Sequence, residues 1–283
     1  MQLHLYNFLH DFIIEKHVKQ ALIEDIGFGD ITTDFIYDRN NQVKACLNSR
    51  EEGILCGIDA VRIVFKILDP TIQIEFKLKD GDRLSVGQNI AVITGNCRVI
   101  LTGERTALNY IQRMSAIATL TGKFQEAIKP YKARVVDTRK TTPCFRMFEK
   151  YAVKVGGGGL HRFNLSDCVM LKDNHISYCG GISEAVRKVR ENISHTHKIE
   201  VETDTLEQVK EACAVGVDII MLDNMTIAQM REAVILINHS AVVEASGNVT
   251  LDNINEIAST GVDIISTSVL QSKAGTLDIG LDI

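Results

Sequence analysis

The chain has 283 residues, 45% of them apolar, with 31 Lys and Arg against 36 Asp and Glu and a net charge of -5. That size and apolar content can bury one large core or two unequal ones, so two domains are expected. An acidic balance argues against a nucleic-acid surface, which needs clustered excess Lys and Arg, and no run approaches the roughly 20 apolar residues of a membrane span.

The opening "MQLHLYNFLHDFIIEKHV" sets acids and histidines among its apolar residues, unlike the basic n-region and unbroken apolar core of a secretory signal. A cytoplasmic protein with small-molecule partners is therefore expected. The seven cysteines (46, 56, 97, 144, 168, 179 and 213) are odd in number, and no two have Cys-x-x-Cys spacing. They read as reduced, mostly buried thiols.

Through residue 115 the pattern is mixed. "HDFIIEKHVKQALIEDI" has apolar residues at helical spacing, whereas "QVKACLNSREEGILCG" and "TIQIEFKLKDGDRLSVGQNIAVITGN" alternate apolar and polar residues and break at glycine, as strands and turns do. This is the first domain, and the last segment, 273–283, is expected to return to it.

From "VILTGERTALNYIQRMSAIATLTGKFQEAI" a long helix leads into 116–272, where short apolar runs alternate with helical patterns. The runs are "ARVVDT", "DCVMLKD", "KIEVET", "DIIMLDN", "AVVEASG" and "DIISTSVL". Helix boundaries are marked by Thr205 and Thr226, each followed three residues later by Gln, and by Gly216 and Gly261 after the last turn. "GVDII" occurs twice, and Glu202, Asp223 and Glu244 stand 21 residues apart, which reads as equivalent positions on successive strands. Such βα units predict an open, incomplete α/β barrel of six or seven parallel strands, where a full barrel needs eight.

Functional groups of such barrels gather at the C-terminal ends of the strands. Those ends carry Thr138, Arg139 and Lys140; Lys172; Glu202; Asp223 and Asn224; Ser246, Gly247 and Asn248; and Ser266, Thr267 and Ser268. Residues 134–173 hold eight Lys or Arg against four acids, a local cationic basin suited to a polyanionic ligand. Gly247 is expected just before a helix whose free first-turn amides would hold a phosphate. In "KVGGGGLHRFN", glycines 156–159 are expected to take positive φ and approach a ligand, with His161 and Arg162 projecting beside them.

With "ERTALNYIQRMSAIAT", "VVDTRKTTP", "GGGGLHR", "LKDNHI", "IEVET", "MLDN" and "EASGN" in this order, the sequence resembles the quinolinate phosphoribosyltransferases from Glu24 to the C-terminus. The resemblance implies an α/β sandwich domain plus an open α/β barrel. It implies transfer of phosphoribosyl from phosphoribosyl pyrophosphate to quinolinate with Mg²⁺, giving nicotinate mononucleotide, CO2 and pyrophosphate, the entry step of de novo NAD synthesis. It also implies a homodimer or a higher oligomer, with Arg50 contributed across the interface. By matching position, Arg105, Arg139, His161 and Arg162 form the quinolinate carboxylate cradle, and Lys140 and Lys172 bind pyrophosphate and the substrate anions. Glu202 and Asp223 hold the ribose hydroxyls and, through water, Mg²⁺, so that Lys140, Lys172, Glu202 and Asp223 are the catalytic set. Ser246, Gly247 and Asn248 with Ser266, Thr267 and Ser268 form the phosphate loops.

Three departures from the family pattern stand out. Leu160 stands where Asn is usual, Cys144 and Phe145 replace Gly-Leu, and Ser268 replaces a glycine of the last phosphate loop. The alternatives are a paralogous phosphoribosyltransferase acting on another aromatic acid, a Schiff-base aldolase using Lys172 or Lys140, and a carrier module built on "DGDRLSVGQ". The first is disfavoured by the complete cradle, the second by the many anion-binding residues and the third by the rim of converging charges.

Overall fold

The structure is a computed structural model that describes residues 8–283; residues 1–7, part of the start discussed above, lie outside it. In chain order the elements are α1 (Asp11–Ile26), α2 (Ile31–Ile36), β1 (Gln42–Ser49), β2 (Gly53–Ile54), α3 (Ile58–Leu68), β3 (Gln73–Phe76), β4 (Arg83–Leu84), β5 (Asn89–Asn96) and α4 (Cys97–Ala127). Then follow β6 (Arg134–Val136), α5 (Arg146–Val155), β7 (Val169–Leu171), α6 (Asp173–Cys179), α7 (Ile182–Arg190), β8 (Ile199–Thr203), α8 (Leu206–Ala214), β9 (Ile219–Asp223) and α9 (Ile227–Ile237). The chain ends with β10 (Val242–Ser246), α10 (Ile254–Ala258), β11 (Ile264–Ser266), α11 (Val269–Ser272) and β12 (Ile279–Asp282).

Two compact units divide the chain. The first runs up to Gly122 and includes Thr142–Gly157 and Lys273–Ile283; the second comprises Lys123–Thr141 and Gly158–Ser272. Residue 115, expected as a domain boundary, falls inside α4, because the helical apolar pattern continues unbroken past it. The segment 142–157, expected with the barrel, groups with the first unit.

In the first unit an antiparallel sheet has the order β12-β1-β5-β3. Alternation predicted β1, and it buries Ala45, Leu47 and Ser49 on one face. Helix α1 buries Ile14, Val18 and Leu22 at four-residue spacing and packs on α3, whose Ala60, Val61, Val64 and Phe65 are buried. The chain returns to this sheet as β12, with Ser49 opposite Ile279 and Cys46 opposite Asp282.

In the second unit the six apolar runs form one parallel sheet, ordered β6-β11-β10-β9-β8-β7. The edge strands β6 and β7 are not paired with each other, so the barrel is open. Helices α8 and α9 begin at capping boxes in which Thr205 pairs with Gln208 and Thr226 with Gln229.

The 21-residue period does not place its three acids at one level. Glu202 lies opposite Met221, and Met221 opposite Glu244, while Asp223 lies opposite Ser246. The step from β8 to β9 is two residues shorter than the period and the next two residues longer, so Asp223 points the same way one layer nearer the strand ends. All seven cysteines are free, but only Cys56 and Cys97 are buried and Cys144 is exposed, fewer buried thiols than expected.

Among the described residues, no helix is long and apolar enough to cross a membrane.

Candidate active site

A cavity of about 340 Å³ opens at the C-terminal ends of the parallel strands of the second unit. Ten of the predicted residues line it: Thr138, Arg139 and Lys140 beyond β6, His161 and Arg162 after the glycine run, Lys172 beyond β7, Glu202, Asp223, Ser246 and Ser266. Met170 and Met221, which sequence reasoning passed over, supply apolar wall. Of the eight basic residues in 134–172, four reach the cavity; Arg134 does not, and Arg146, Lys150 and Lys154 belong to the first unit, Lys150 fully buried. The basin is real but smaller than the charge count implied.

Lys172 Nζ donates to Glu202 Oε2 at 2.5 Å. Burial raises the Asp223 carboxyl above its ordinary value, and the nearby Glu202 and Asp204 carboxylates add to the rise; Asn224 Nδ2, donating to Asp223 at 2.8 Å, opposes it. Asn224 itself is a left-handed turn residue with φ 53°. Ser266 is buried, and its Oγ has no hydrogen-bond partner in the protein, so it is available to a ligand.

The loop after β10 differs from expectation. No helix starts at Gly247: turns cover 251–253 and α10 begins only at Ile254. Gly247 and Asn248 have φ of 93° and 51°, and Asn253 closes the loop by donating to the Asn248 carbonyl at 2.9 Å while accepting from Thr250 N at 2.8 Å. A Cβ on Gly247 would stand 2.2 Å from Asn224 Oδ1, so only glycine fits there. Thr267 N donates to the Val136 carbonyl at 3.1 Å, and Ser268 accepts from Gln271 and Ser272 at the start of α11; neither lines the cavity.

The glycine run also departs from its expected role. Within it only Gly157 has positive φ, at 90°. The close approaches are to the chain itself: a Cβ on Gly156 would lie 2.4 Å from the Ala118 carbonyl, and one on Gly159 2.8 Å from Val136, beside which Gly159 N donates to the Val135 carbonyl at 2.8 Å. These glycines allow tight backbone packing that brings His161 and Arg162 to the cavity.

Sequence reasoning missed what lies under His161. Glu200 and Glu244, 0% and 3% exposed, approach its Nε2 at 3.3 and 3.5 Å. A glutamate inside the apolar run "IEVET", two residues before Glu202 and on the same face, was the available signal. Burial alone would lower the His161 pKa, while the Glu200 and Glu244 carboxylates pull it upward. The Arg162 backbone N–H pulls the other way, because it donates to Nδ1 at 2.8 Å and so needs the lone pair there. Two N–H groups cannot meet at that distance, so the amide decides the tautomer. The proton the cluster attracts then belongs to the carboxylate pair, where burial and the Glu244 charge raise Glu200. Among the described residues this is the one group of three His, Cys, Asp or Glu whose ligand atoms lie within 4.8 Å of one another.

Arg50 and Arg105 belong to the first unit. Arg50 is exposed and pairs with Asp282 at 3.0 Å; Arg105 is exposed on α4 and lines a separate hollow with Asp25 and Asp30.

Residues 117–282 match the model of the quinolinate phosphoribosyl transferase C-terminal domain, and residues 30–115 that of the N-terminal domain. The chain is 43% identical to a probable nicotinate-nucleotide pyrophosphorylase [carboxylating] of Synechocystis, over 96% of this chain and 92% of that protein. It is 41% identical to the Bacillus subtilis protein described in the same words, over 95% and 93%. Among solved structures, NadC from Streptococcus pyogenes superposes with a TM-score of 0.95 at 41% identity, covering 97% of both chains.

Proposed function

The chain belongs to the quinolinate phosphoribosyltransferase family, and from that premise we infer that the cavity of its second unit carries the family's reaction. The protein is a phosphoribosyltransferase of de novo NAD synthesis: it moves phosphoribosyl from phosphoribosyl pyrophosphate to quinolinate with decarboxylation, giving nicotinate mononucleotide, CO2 and pyrophosphate. The alternative acceptor, another aromatic acid, is not favoured. The observation that carries the assignment to this cavity is the convergence of Arg139, Lys140, Arg162 and Lys172 with Glu202 and Asp223 on one pocket.

In this reading Arg139 and Arg162 bind carboxylates of quinolinate, the planar guanidinium matching their geometry, with Arg105 in the role the resemblance gives it. Lys140 and Lys172 counter the negative charge that grows on the departing pyrophosphate. Glu202 and Asp223 hold the ribose hydroxyls and stabilise the oxocarbenium character of the ribosyl carbon. Ser246, Gly247 and Asn248, with Ser266, receive the 5'-phosphate. Once alkylated, the cationic ring nitrogen accepts the electron pair released as the 2-carboxylate leaves as CO2. Catalysis is then positioning and electrostatics, with no covalent enzyme intermediate.

Glu202 and Asp223 suit Mg²⁺: they are hard oxygen donors on one wall, and the upward shift of Asp223, caused first by burial and then by the Glu202 and Asp204 charges, includes a repulsion that a cation would relieve. Bound there through water, the ion would supply charge neutralisation to the pyrophosphate. A homodimer is supported by the exposed apolar side chains Phe28, Ile31, Phe35 and Ile36, a cluster that a monomer would leave in water. The dimer would receive Arg50 from the neighbouring subunit. A cytoplasmic setting accords with the free cysteines.

The test is a product assay with purified protein, quinolinate, phosphoribosyl pyrophosphate and Mg²⁺, with nicotinate as the parallel acceptor. Nicotinate mononucleotide and CO2 from quinolinate alone are expected; product from nicotinate as well would overturn the cradle's selectivity for two carboxylates.

A further inference from the structure

One buried pair of carboxylates has no part in the reaction scheme above. Glu200 on β8 and Glu244 on β10 turn their carboxylates to the Nε2 edge of His161. At the opposite edge Nδ1 accepts the Arg162 backbone N–H at 2.8 Å, and the backbone N–H of His161 donates to the buried Asp137 Oδ1 at 2.8 Å. An acceptor at Nδ1 and carboxylates at Nε2 admit a single tautomer, with the proton on Nε2. The ring is thus held at both edges. Arg162 departs from that held amide, and its guanidinium runs along the cavity wall to the Cys168 carbonyl at 2.8 Å and Met170 Sδ at 3.5 Å.

Two buried carboxylates are expensive anywhere, and more so beneath a pocket that receives anions. Apolar residues of similar size would support the sheet without that cost. We propose that Glu200 and Glu244 are positioning residues for the aromatic acceptor: through His161 Nε2 they hold the imidazole, and through Nδ1 the imidazole holds the Arg162 backbone and aims its guanidinium at a carboxylate of the acid. This rests on reading the cavity as the quinolinate site.

Nitrogen NMR of the full-length protein labelled at histidine and arginine tests the first link without any variant of the two acids, with His161→Asn used only to assign the signal. A neutral ring with its lone pair on Nδ1 and its hydrogen on Nε2 is expected; a ring protonated at Nδ1 overturns the proposal. The second link is kinetic. Glu200→Gln and Glu244→Gln are expected to raise KM for quinolinate about tenfold while leaving that for phosphoribosyl pyrophosphate within about twofold. Combined with His161→Asn, each Glu substitution should add almost nothing, because the group it acts through is gone. Equal losses in both backgrounds, or equal rises in both KM values, overturn the proposal. If quinolinate leaves the wild-type Arg162 side-chain signals unmoved, the reading of the cavity fails, whatever the His161 tautomer.

Discussion

Lys172 shows how one residue's role separates from its contribution to stability. Its side chain is 45% exposed and its partner Glu202 17% exposed, so their ion pair is worth about 0–1 kcal/mol to folding. In its proposed place at the leaving group that charge is worth far more, and Lys172→Met is expected to cut kcat about 10²–10³-fold while thermal unfolding shifts little. A parallel loss of Tm in calorimetry would make Lys172 structural instead. Asp80 is the converse, a stability residue away from the cavity. Burial raises its pKa from 3.8 to about 6, against the Gly57 and Ile58 N–H groups that it accepts at the start of α3. The folded state therefore favours the protonated acid, and this contribution, present below pH 3.8, is lost as pH rises to about 6. Relative to Asp80→Asn, the wild type should lose on the order of 2–3 kcal/mol across that window. Denaturant midpoints of the two proteins that keep a constant difference with pH would refute this.

At the level of elements, loops rather than helices set the proposed phosphate end of the cavity. The β10 loop holds its shape through Asn224, Asn248 and Asn253 and through the absence of a Cβ on Gly247. Gly247→Ala combines an unfavourable φ with a clash against Asn224, which also carries the amide on Asp223. It should raise KM for phosphoribosyl pyrophosphate at least about tenfold and cost about 1–3 kcal/mol in stability. Unchanged KM with lowered stability would place the phosphate elsewhere. The glycine run works likewise by close packing of backbone, since Gly156 meets Ala118 at ordinary helical φ.

For the whole molecule, the proposed dimer with Arg50 shared across its interface makes a prediction that mixing can test. Arg50→Ala and Lys172→Met homodimers should each be nearly inactive. Random mixing of the two by co-expression pairs half the molecules as heterodimers, each with one intact site, and should restore about a quarter of wild-type activity. No restoration would place Arg50 in its own subunit's chemistry or in none. Light scattering should give twice the chain mass, and Phe35→Asp, which charges the exposed apolar cluster, should lower it.

Much of this was legible beforehand, for a local reason. Alternation in β1, the six apolar runs, and the Thr-x-x-Gln starts of α8 and α9 depend on neighbours a few residues apart, so they determine the elements and the parallel class of the second unit. Residues at strand ends, such as Lys172, Glu202 and Asp223, could likewise be picked out as rim groups. Tertiary structure alone decided the layer each rim residue occupies, because stagger between parallel strands depends on the crossover lengths, and two unequal steps concealed the level of Asp223 within a constant period. It alone brought Glu200 and Glu244 from two strands to one histidine, turned the glycine run toward its own chain, and divided the basic residues of 134–172 between two units. Those outcomes depend on contacts between residues far apart in the chain, which composition and periodicity do not encode.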